Sequence, residues 1–293
     1  MTTDSATPTR RVVPVDGIPM SGLFAEAADP RAVIIALHGG ASSAAYFDCP
    51  GHPDLSLLRS AAAAGFSVVA LDRPGYGASA PYSDAMWEPQ RRVGLAYGAA
   101  DAMLGTRDRG AGLFILAHSN GCELALRMAT AERGQQLLGL ELAGTGLRQY
   151  PAARAILKQA TPTHRPAGIR ELIWAPEELY PADVVNAVGS AGAPPQEAEV
   201  SANWAGRDFP ALAAHVVAPV RFTAAEHEKV WDSTPEALAD IAAVFTRSPH
   251  VEIHHQDGAG HNLSLGIAAA HYHSSVFSFV DQCINADANQ EAG

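Results

Sequence analysis

LFILAHSNGCELALRMATAE, residues 113–132, runs from an apolar strand-like segment into a helical one with only His118, Ser119, Asn120 and Gly121 between them. A strand that becomes a helix within about two residues must reverse sharply, and the residue at the apex is pushed off regular geometry with its side chain exposed. Ser119 occupies that apex. Small residues two before and two after the apex let strand and helix approach; Ala117 and Gly121 stand there, with Ala117 departing from the first Gly of the usual G-x-S-x-G. Short Ser-Asn-Gly strings also make plain turns, so the flanks carry the distinction. Residues 113–116 form a continuous apolar run, as expected of a strand buried on both faces. After the turn, Glu123, Arg127 and Thr130 share a polar stripe, with Glu123 and Arg127 at i, i+4 spacing, while Cys122, Ala125 and Ala129 can face a sheet.

At 293 residues the chain accommodates one sizeable α/β domain with room for an inserted subdomain. Hydrophobic content of 47% with 17% charged residues is that of a globular chain. A net charge of -11 argues against a nucleic-acid partner, because neutralising phosphates needs a basic face. Cys49, Cys122 and Cys283 lie far apart without C-x-x-C spacing, which suits a reducing compartment. Arg10-Arg11 is not followed by the apolar segment of an export signal, and no run approaches the ~18–20 apolar residues of a bilayer span. The expectation is a cytoplasmic protein without membrane attachment.

Outward from the central stretch, Asp16-Gly17 reads as a hairpin turn between edge strands at 11–15 and 20–24. A buried strand at 32–37 runs into His38-Gly39-Gly40, helical spacing around Leu55, Leu58 and Ala62 closes at Gly65, and a buried strand at 67–71 ends in the turn-rich Asp72-Arg73-Pro74-Gly75-Tyr76-Gly77. Val93, Tyr97, Ala100 and Leu104 mark a helix before residue 113, and 137–143 is another strand. This alternation predicts a mostly parallel, doubly wound α/β sheet with its ligand at the carboxyl ends of the strands. The next convincing strand is 220–224, a gap too long for an ordinary connection. The expected organisation is therefore a core of residues 1–146 and 216–293 with a helical lid or cap, 147–215, inserted. Ser233-Thr234-Pro235-Glu236 reads as a capping box opening a helix through Phe245, followed by a strand at 250–255 and a closing helix through Tyr272, Val276 and Cys283, with a frayed tail after Ala286.

The order of His38-Gly39-Gly40, the Asp72 to Gly77 turn (D-x-P-G-x-G) and the Ala117 to Gly121 elbow resembles the α/β-hydrolase fold family, and the resemblance covers nearly the whole chain outside the insertion. It implies a serine nucleophile followed in the chain by an acid and then a histidine. A serine hydroxyl needs a base, and the base needs a partner that holds its tautomer. Carried over by position, the nucleophile is Ser119 and the base is His261, on the loop between the last strand and last helix. The acid is Glu228 when Ala225 is aligned with the Gly of the family's G-x-x-D; Glu226 is the next choice, followed by Asp232, Asp257 or Glu141. The oxyanion hole falls to the backbone N–H groups of Gly40 and Asn120, with Ala41 as fallback for Gly40. Asp72 and Arg73 read as structural.

The implied chemistry is hydrolysis of an ester or thioester through an acyl-enzyme without a cofactor. A serine in place of a carboxylate at the elbow disfavours dehalogenase and epoxide-hydrolase chemistry. Acyl transfer or cyclisation, lyase or cofactor-independent oxygenase chemistry, and low-turnover ligand binding remain alternatives on the same scaffold. Six histidines between His250 and His273 do not share faces suited to a metal. The Gly75 to Ser79 string GYGAS lacks the third glycine of a dinucleotide fingerprint. Within the insertion, Trp174, Tyr180 and Trp204 either line an acyl pocket or pack the lid. Arg148, Arg154, Lys158, Arg165 and Arg170 occur with no acid between residues 142 and 170, against a solvated-face reading raising an anionic substrate or carrier such as a coenzyme A or carrier-protein thioester.

Overall fold

The computed structural model describes residues 7–49, 51–159, 166–187 and 192–291. Eight strands form one sheet: β1 (Thr9–Val15), β2 (Ile18–Ala25), β3 (Ala32–Leu37), β4 (Phe66–Leu71), β5 (Leu113–His118), β6 (Leu137–Ala143), β7 (Val220–Ala225) and β8 (Val251–Gln256), in the order β1-β2-β4-β3-β5-β6-β7-β8. β1 and β2 form an antiparallel hairpin, β2 pairs antiparallel with β4, and all pairings from β4 to β8 are parallel. The hairpin turns through Asp16 and Gly17, both at positive φ (47° and 78°), the geometry that matches strand twist. Of the two hairpin strands expected at an edge, β1 is one, whereas β2 lies between β1 and β4.

The continuous apolar character of β3, β4, β5 and β6 follows from burial on both faces. One face carries α1 (Leu57–Ala63) and the carboxyl-terminal helix; the other carries α2 (Pro89–Leu104) and α3 (Gly121–Thr130). Ser56 caps α1 by accepting the Arg59 N–H at 3.1 Å, and Leu55 sits in a preceding 3₁₀ turn. Between β6 and β7 the described residues contain no strand. They form the short helices α4 (Pro151–Leu157), α5 (Ile169–Ile173), α6 (Val184–Ala187), α7 (Gln196–Asn203) and α8 (Phe209–Ala213). A helix α9 (Pro235–Val244) precedes β8, and α10 (Ala269–Glu291) closes the chain, continuing past Ala286 where a frayed tail was expected. The α9 cap is Thr234, whose hydroxyl accepts the Ala237 N–H at 3.4 Å, so the expected box on Ser233 and Glu236 does not form.

Of the polar stripe of α3, Glu123 is enclosed while Arg127 and Thr130 are half-buried. Glu123, 1% exposed, takes a bidentate pair from Arg92 of α2 at 2.8 and 2.9 Å and a further bond from Arg127. Arg127 also reaches Asp208 of the inserted segment at 3.3 Å. On the opposite face Glu141 of β6 is buried against Arg221 of β7 at 2.7 Å and the Tyr272 hydroxyl of α10 at 3.1 Å. Burial pushes the Glu141 carboxyl up, and the Arg221 charge and these hydrogen bonds only partly oppose it.

His273 of α10 is buried with neither ring nitrogen hydrogen-bonded to a described residue, and burial alone lowers it from 6.5 to about 3. A histidine depressed on folding stabilises fully above its unfolded value, and that stability is lost as pH falls from 6.5 towards 3. The loss reaches about 2 kcal/mol by pH ~5. His273→Leu should shrink the difference between urea unfolding free energies at neutral and mildly acidic pH by about this amount; an unchanged difference would show that other groups carry the acid sensitivity.

Candidate active site

β5 passes into α3 through Ser119, whose φ of 53° places a non-glycine residue in the left-handed region. The turn is pinned on both sides: the Ser119 N–H donates to Ala143 O at 2.8 Å, and the Cys122 N–H donates to Ser119 O at 2.9 Å. The helix then crosses β3 so closely that a Cβ on Gly121 would overlap the carbonyl oxygens of Leu37 and His38. Ala117, fully buried in β5, is accommodated. Ser119 is partly exposed at the carboxyl ends of the parallel strands, and its hydroxyl makes no hydrogen bond to a described residue.

The loop after β3 lies against this elbow. A Cβ on Gly39 would stand 3.1 Å from Ser119 Cβ, and one on Gly40 would stand 2.8 Å from Asn120 Nδ2. The backbone N–H groups of Gly40 and Asn120 donate to no acceptor among the described residues, whereas the Ala41 N–H is taken by the Tyr76 hydroxyl at 3.0 Å. The turn after β4 supports the loop: Arg73 Nη2 donates to Gly39 O at 3.0 Å, and the Arg73 N–H donates to His38 Nε2 at 3.1 Å. His38 therefore carries its proton on Nδ1, which donates to Gly39 O at 2.7 Å. Asp72 accepts from Ser21 Oγ at 2.5 Å and from the Ala44 N–H at 2.8 Å, a scaffold role.

His261 follows β8 and is buried, with Nδ1 at 2.9 and 3.1 Å from the two Glu228 oxygens. The Nδ1–H donates to the carboxylate, which leaves Nε2 as an acceptor. Glu228 Oε1 also accepts the Val230 N–H at 2.8 Å and the Trp231 N–H at 3.4 Å. Burial would push the Glu228 carboxyl up; the His261 charge, its hydrogen bonds and the two N–H groups outweigh burial and hold it below the ordinary carboxylate range. The other acids are engaged elsewhere or exposed. Glu226 is exposed and accepts the Gly258 N–H at 2.8 Å, Asp232 accepts the Thr234 N–H, Asp257 is exposed, and Glu141 is held by Arg221.

Two residues not singled out in the sequence reading tie these loops together. His118, the residue before Ser119, donates from Nε2 to His261 O at 2.8 Å and stacks on Tyr46 with ring centroids 4.6 Å apart. Burial, reinforced by His261, lowers it well below the ordinary histidine value, so it is a neutral spacer between the elbow and the His261 loop. Glu197 of α7 is buried, pairs with Arg73 and accepts from Asn120 Nδ2 at 3.2 Å. An adjacent position marks His118 in the sequence. Nothing in the local sequence marks Glu197.

Residues 34–270 match the family described as the alpha/beta hydrolase family. This chain belongs to that family. A search of curated protein sequences finds none that matches. Among solved structures, this alpha/beta hydrolase is similar to a lipase in an open form (TM-score 0.66, 20% identity, covering 95% of this chain and 100% of that one). It is also similar to a thioesterase domain from the curacin biosynthetic pathway (0.62, 18%, 92% and 99%) and to an N-acyl homoserine lactonase complexed with N-hexanoyl homoserine (0.68, 18%, 94% and 98%). At these identities the likeness shows the shared fold.

The aromatic residues of the inserted segment are used in packing. The Tyr180 hydroxyl accepts the Asn262 N–H at 3.3 Å beneath the His261 loop, Trp174 packs edge-on against Tyr180, and Asn262 Nδ2 donates to Ile173 O at 2.8 Å. Trp204 donates to Thr145 Oγ1 at 2.7 Å and stacks on Phe209. Both Tyr180 and Trp204 are buried with their polar ends hydrogen-bonded to protein partners, contacts that anchor the segment. Of the basic residues, Arg148 pairs with half-buried Asp232 and exposed Asp240, and exposed Arg170 pairs with exposed Glu177. Arg154 and Lys158 are exposed, have no acidic partner among the described residues, and line an open cleft of about 430 Å³ with Gln149, Pro151 and Ala155. Arg165 lies outside the described residues. Among the described residues there is no His, Cys, Asp and Glu grouping suited to a metal, and no helix long and apolar enough to cross a membrane.

Gly121→Ala tests the elbow crossing, because the added Cβ meets main-chain oxygens that cannot swing away. It should cost about 1–3 kcal/mol, read as a lower unfolding midpoint, while Ala117→Gly retains Ser119 reactivity. A Gly121→Ala protein as stable as the parent would contradict the close approach.

Proposed function

We propose that this alpha/beta hydrolase is a serine hydrolase that cleaves a carboxylic ester or thioester through an acyl-enzyme. The observation that carries the reading is the buried Glu228–His261 pair at 2.9 Å, held by His118 beside a strained Ser119. Ser119 Oγ attacks the carbonyl carbon while His261 Nε2 takes its proton; Glu228 holds the tautomer and stabilises the imidazolium. The Gly40 and Asn120 N–H groups receive the developing oxyanion, each donor worth on the order of 3–4 kcal/mol of barrier. Collapse expels the alcohol or thiol with the proton from His261, and water, activated by the same nitrogen, releases the acid. No cofactor enters these steps. The lipase, thioesterase and lactonase among similar structures support acyl chemistry at a carboxyl carbon.

Residues 147–215 serve as the lid over this site in the proposed arrangement. The Arg154 and Lys158 cleft favours an anionic acyl carrier, a coenzyme A or carrier-protein thioester, since it pairs two cations with no neutralising acid among the described residues. The cytoplasmic placement belongs with this reading, and the three free thiols Cys49, Cys122 and Cys283 suit it.

A fluorophosphonate probe should add to Ser119 stoichiometrically by intact mass; unlabelled, folded protein rules out the acyl-enzyme route. Glu228→Gln should lower kcat on a p-nitrophenyl ester by at least ~10³-fold with intact folding. Product analysis with a competing alcohol or amine separates hydrolysis from acyl transfer or cyclisation. Charge reversal of Arg154 and Lys158 should reduce kcat/KM for an acyl-coenzyme A by about tenfold or more, with a neutral ester unaffected; equal behaviour of the two substrates removes the anionic-carrier reading.

A further inference from the structure

A carboxylate stands beside the two N–H groups assigned to the oxyanion hole, and it comes from the inserted segment. Glu197 of α7 is 6% exposed. Its Oε1 pairs with Arg73 Nη2, and its Oε2 accepts from Asn120 Nδ2 at 3.2 Å. Asn120 Nδ2 also lies 3.4 Å from Ser201 Oγ, one turn further along α7. On the other side, a Cβ on Gly40 would be 3.2 Å from Glu197 Oε2, so the same oxygen borders both loops. Arg73 completes the connection, since the nitrogen that meets Glu197 donates to Gly39 O as well.

An isolated anion here would oppose the reaction, because negative charge builds on the substrate oxygen a few ångströms away. Arg73 removes that objection by neutralising it. Burial works against the Arg73 cation, yet the Glu197 and Tyr76 interactions keep it firmly protonated. The result is a buried, charge-paired cluster whose hydrogen bonds run from α7 to the side chain of Asn120 and, through Arg73, to the carbonyl of Gly39. Those contacts fix the peptide planes that carry the two N–H groups. Preorganised donors stabilise charge because they need no reorientation during the reaction.

We propose that Glu197 is a positioning residue for the oxyanion hole, making its alignment depend on the docking of α7. This rests on the Ser119 reading above. The inserted segment then does more than cover the site: displacing α7 withdraws the acceptor from Asn120 and leaves Arg73 without its counter-ion, so catalytic competence and α7 docking are coupled.

The experiment compares the parent with Glu197→Ala, Glu197→Gln and Ser201→Ala, using a p-nitrophenyl ester for kcat and KM and an aryl boronic acid as a tetrahedral adduct of Ser119. Glu197→Ala should lower kcat ~10–100-fold with KM within about threefold, and weaken boronate affinity by the same factor as kcat. Glu197→Gln, which keeps an acceptor for Asn120 without the charge, should recover part of the loss, and Ser201→Ala should lower kcat ~2–5-fold. Should Glu197→Ala unfold, the Gln and Ser201 variants carry the test through the same parallel between kcat and boronate affinity. The proposal is overturned if kcat and boronate affinity in the folded variants stay within twofold of the parent, or if only KM rises. A parent protein that neither reacts with fluorophosphonate nor binds the boronate defeats the Ser119 reading itself, and the positioning role with it.

Discussion

The α3 backbone approaches the end of β3 so closely that no side chain fits between Gly121 and the Leu37 and His38 carbonyls. Much else follows from it. A helix that begins so near the sheet leaves the apex of the turn in the left-handed region, and Ser119 accepts φ of 53° because hydrogen bonds to Ala143 and from Cys122 over-determine the turn. The same approach sets the β3 loop against the elbow, where a Cβ on Gly39 would crowd the His118 and Ser119 side chains. The position of Ser119 in the sheet and the packing of the Gly39-Gly40 loop against the elbow are consequences of one steric constraint.

Charge is handled by enclosure in pairs. Glu123 is clamped by Arg92 and Arg127, Glu141 by Arg221 and Tyr272, and Glu197 by Arg73. Each carboxylate bridges different elements. Such pairs contribute little net stability compared with apolar packing, but losing one partner strands a buried charge, so each strongly disfavours misdocking of the elements it joins. That the Arg73 and Glu197 pair lies at the candidate site, and joins the core to the inserted segment, explains how a segment without strands among its described residues is held in register with loops that must be rigid.

The inserted segment also grips the opposite side of the site. Tyr180 and Ile173 meet Asn262, the residue following His261, while His118 holds the His261 carbonyl from beneath. Aromatic residues that would suit an acyl pocket by composition are committed to these supports, since a buried tyrosine or tryptophan must satisfy its polar end and finds the partner in protein.

The sequence by itself determined the architecture and the motif positions. Continuous apolar runs belong to strands buried on both faces, and tight-turn residues at Asp16-Gly17, Gly39-Gly40 and Ala117 to Gly121 have local steric causes that can be read without knowing what lies opposite. It also brought Ser119, His261 and Glu228 forward, through chain order and spacing after strands. Tertiary structure decided what depends on partners distant in the chain. It set Glu228, not Glu226, against His261 Nδ1, because two residues of loop separate an enclosed carboxylate from an exposed one. It turned Glu123 of the α3 polar stripe inward, placed Tyr180 and Trp204 in supporting roles, and brought Glu197 to Asn120 across 77 positions. A carboxylate on a short helix carries no local mark of its destination; its meaning comes from the arginine and amide that packing sets beside it.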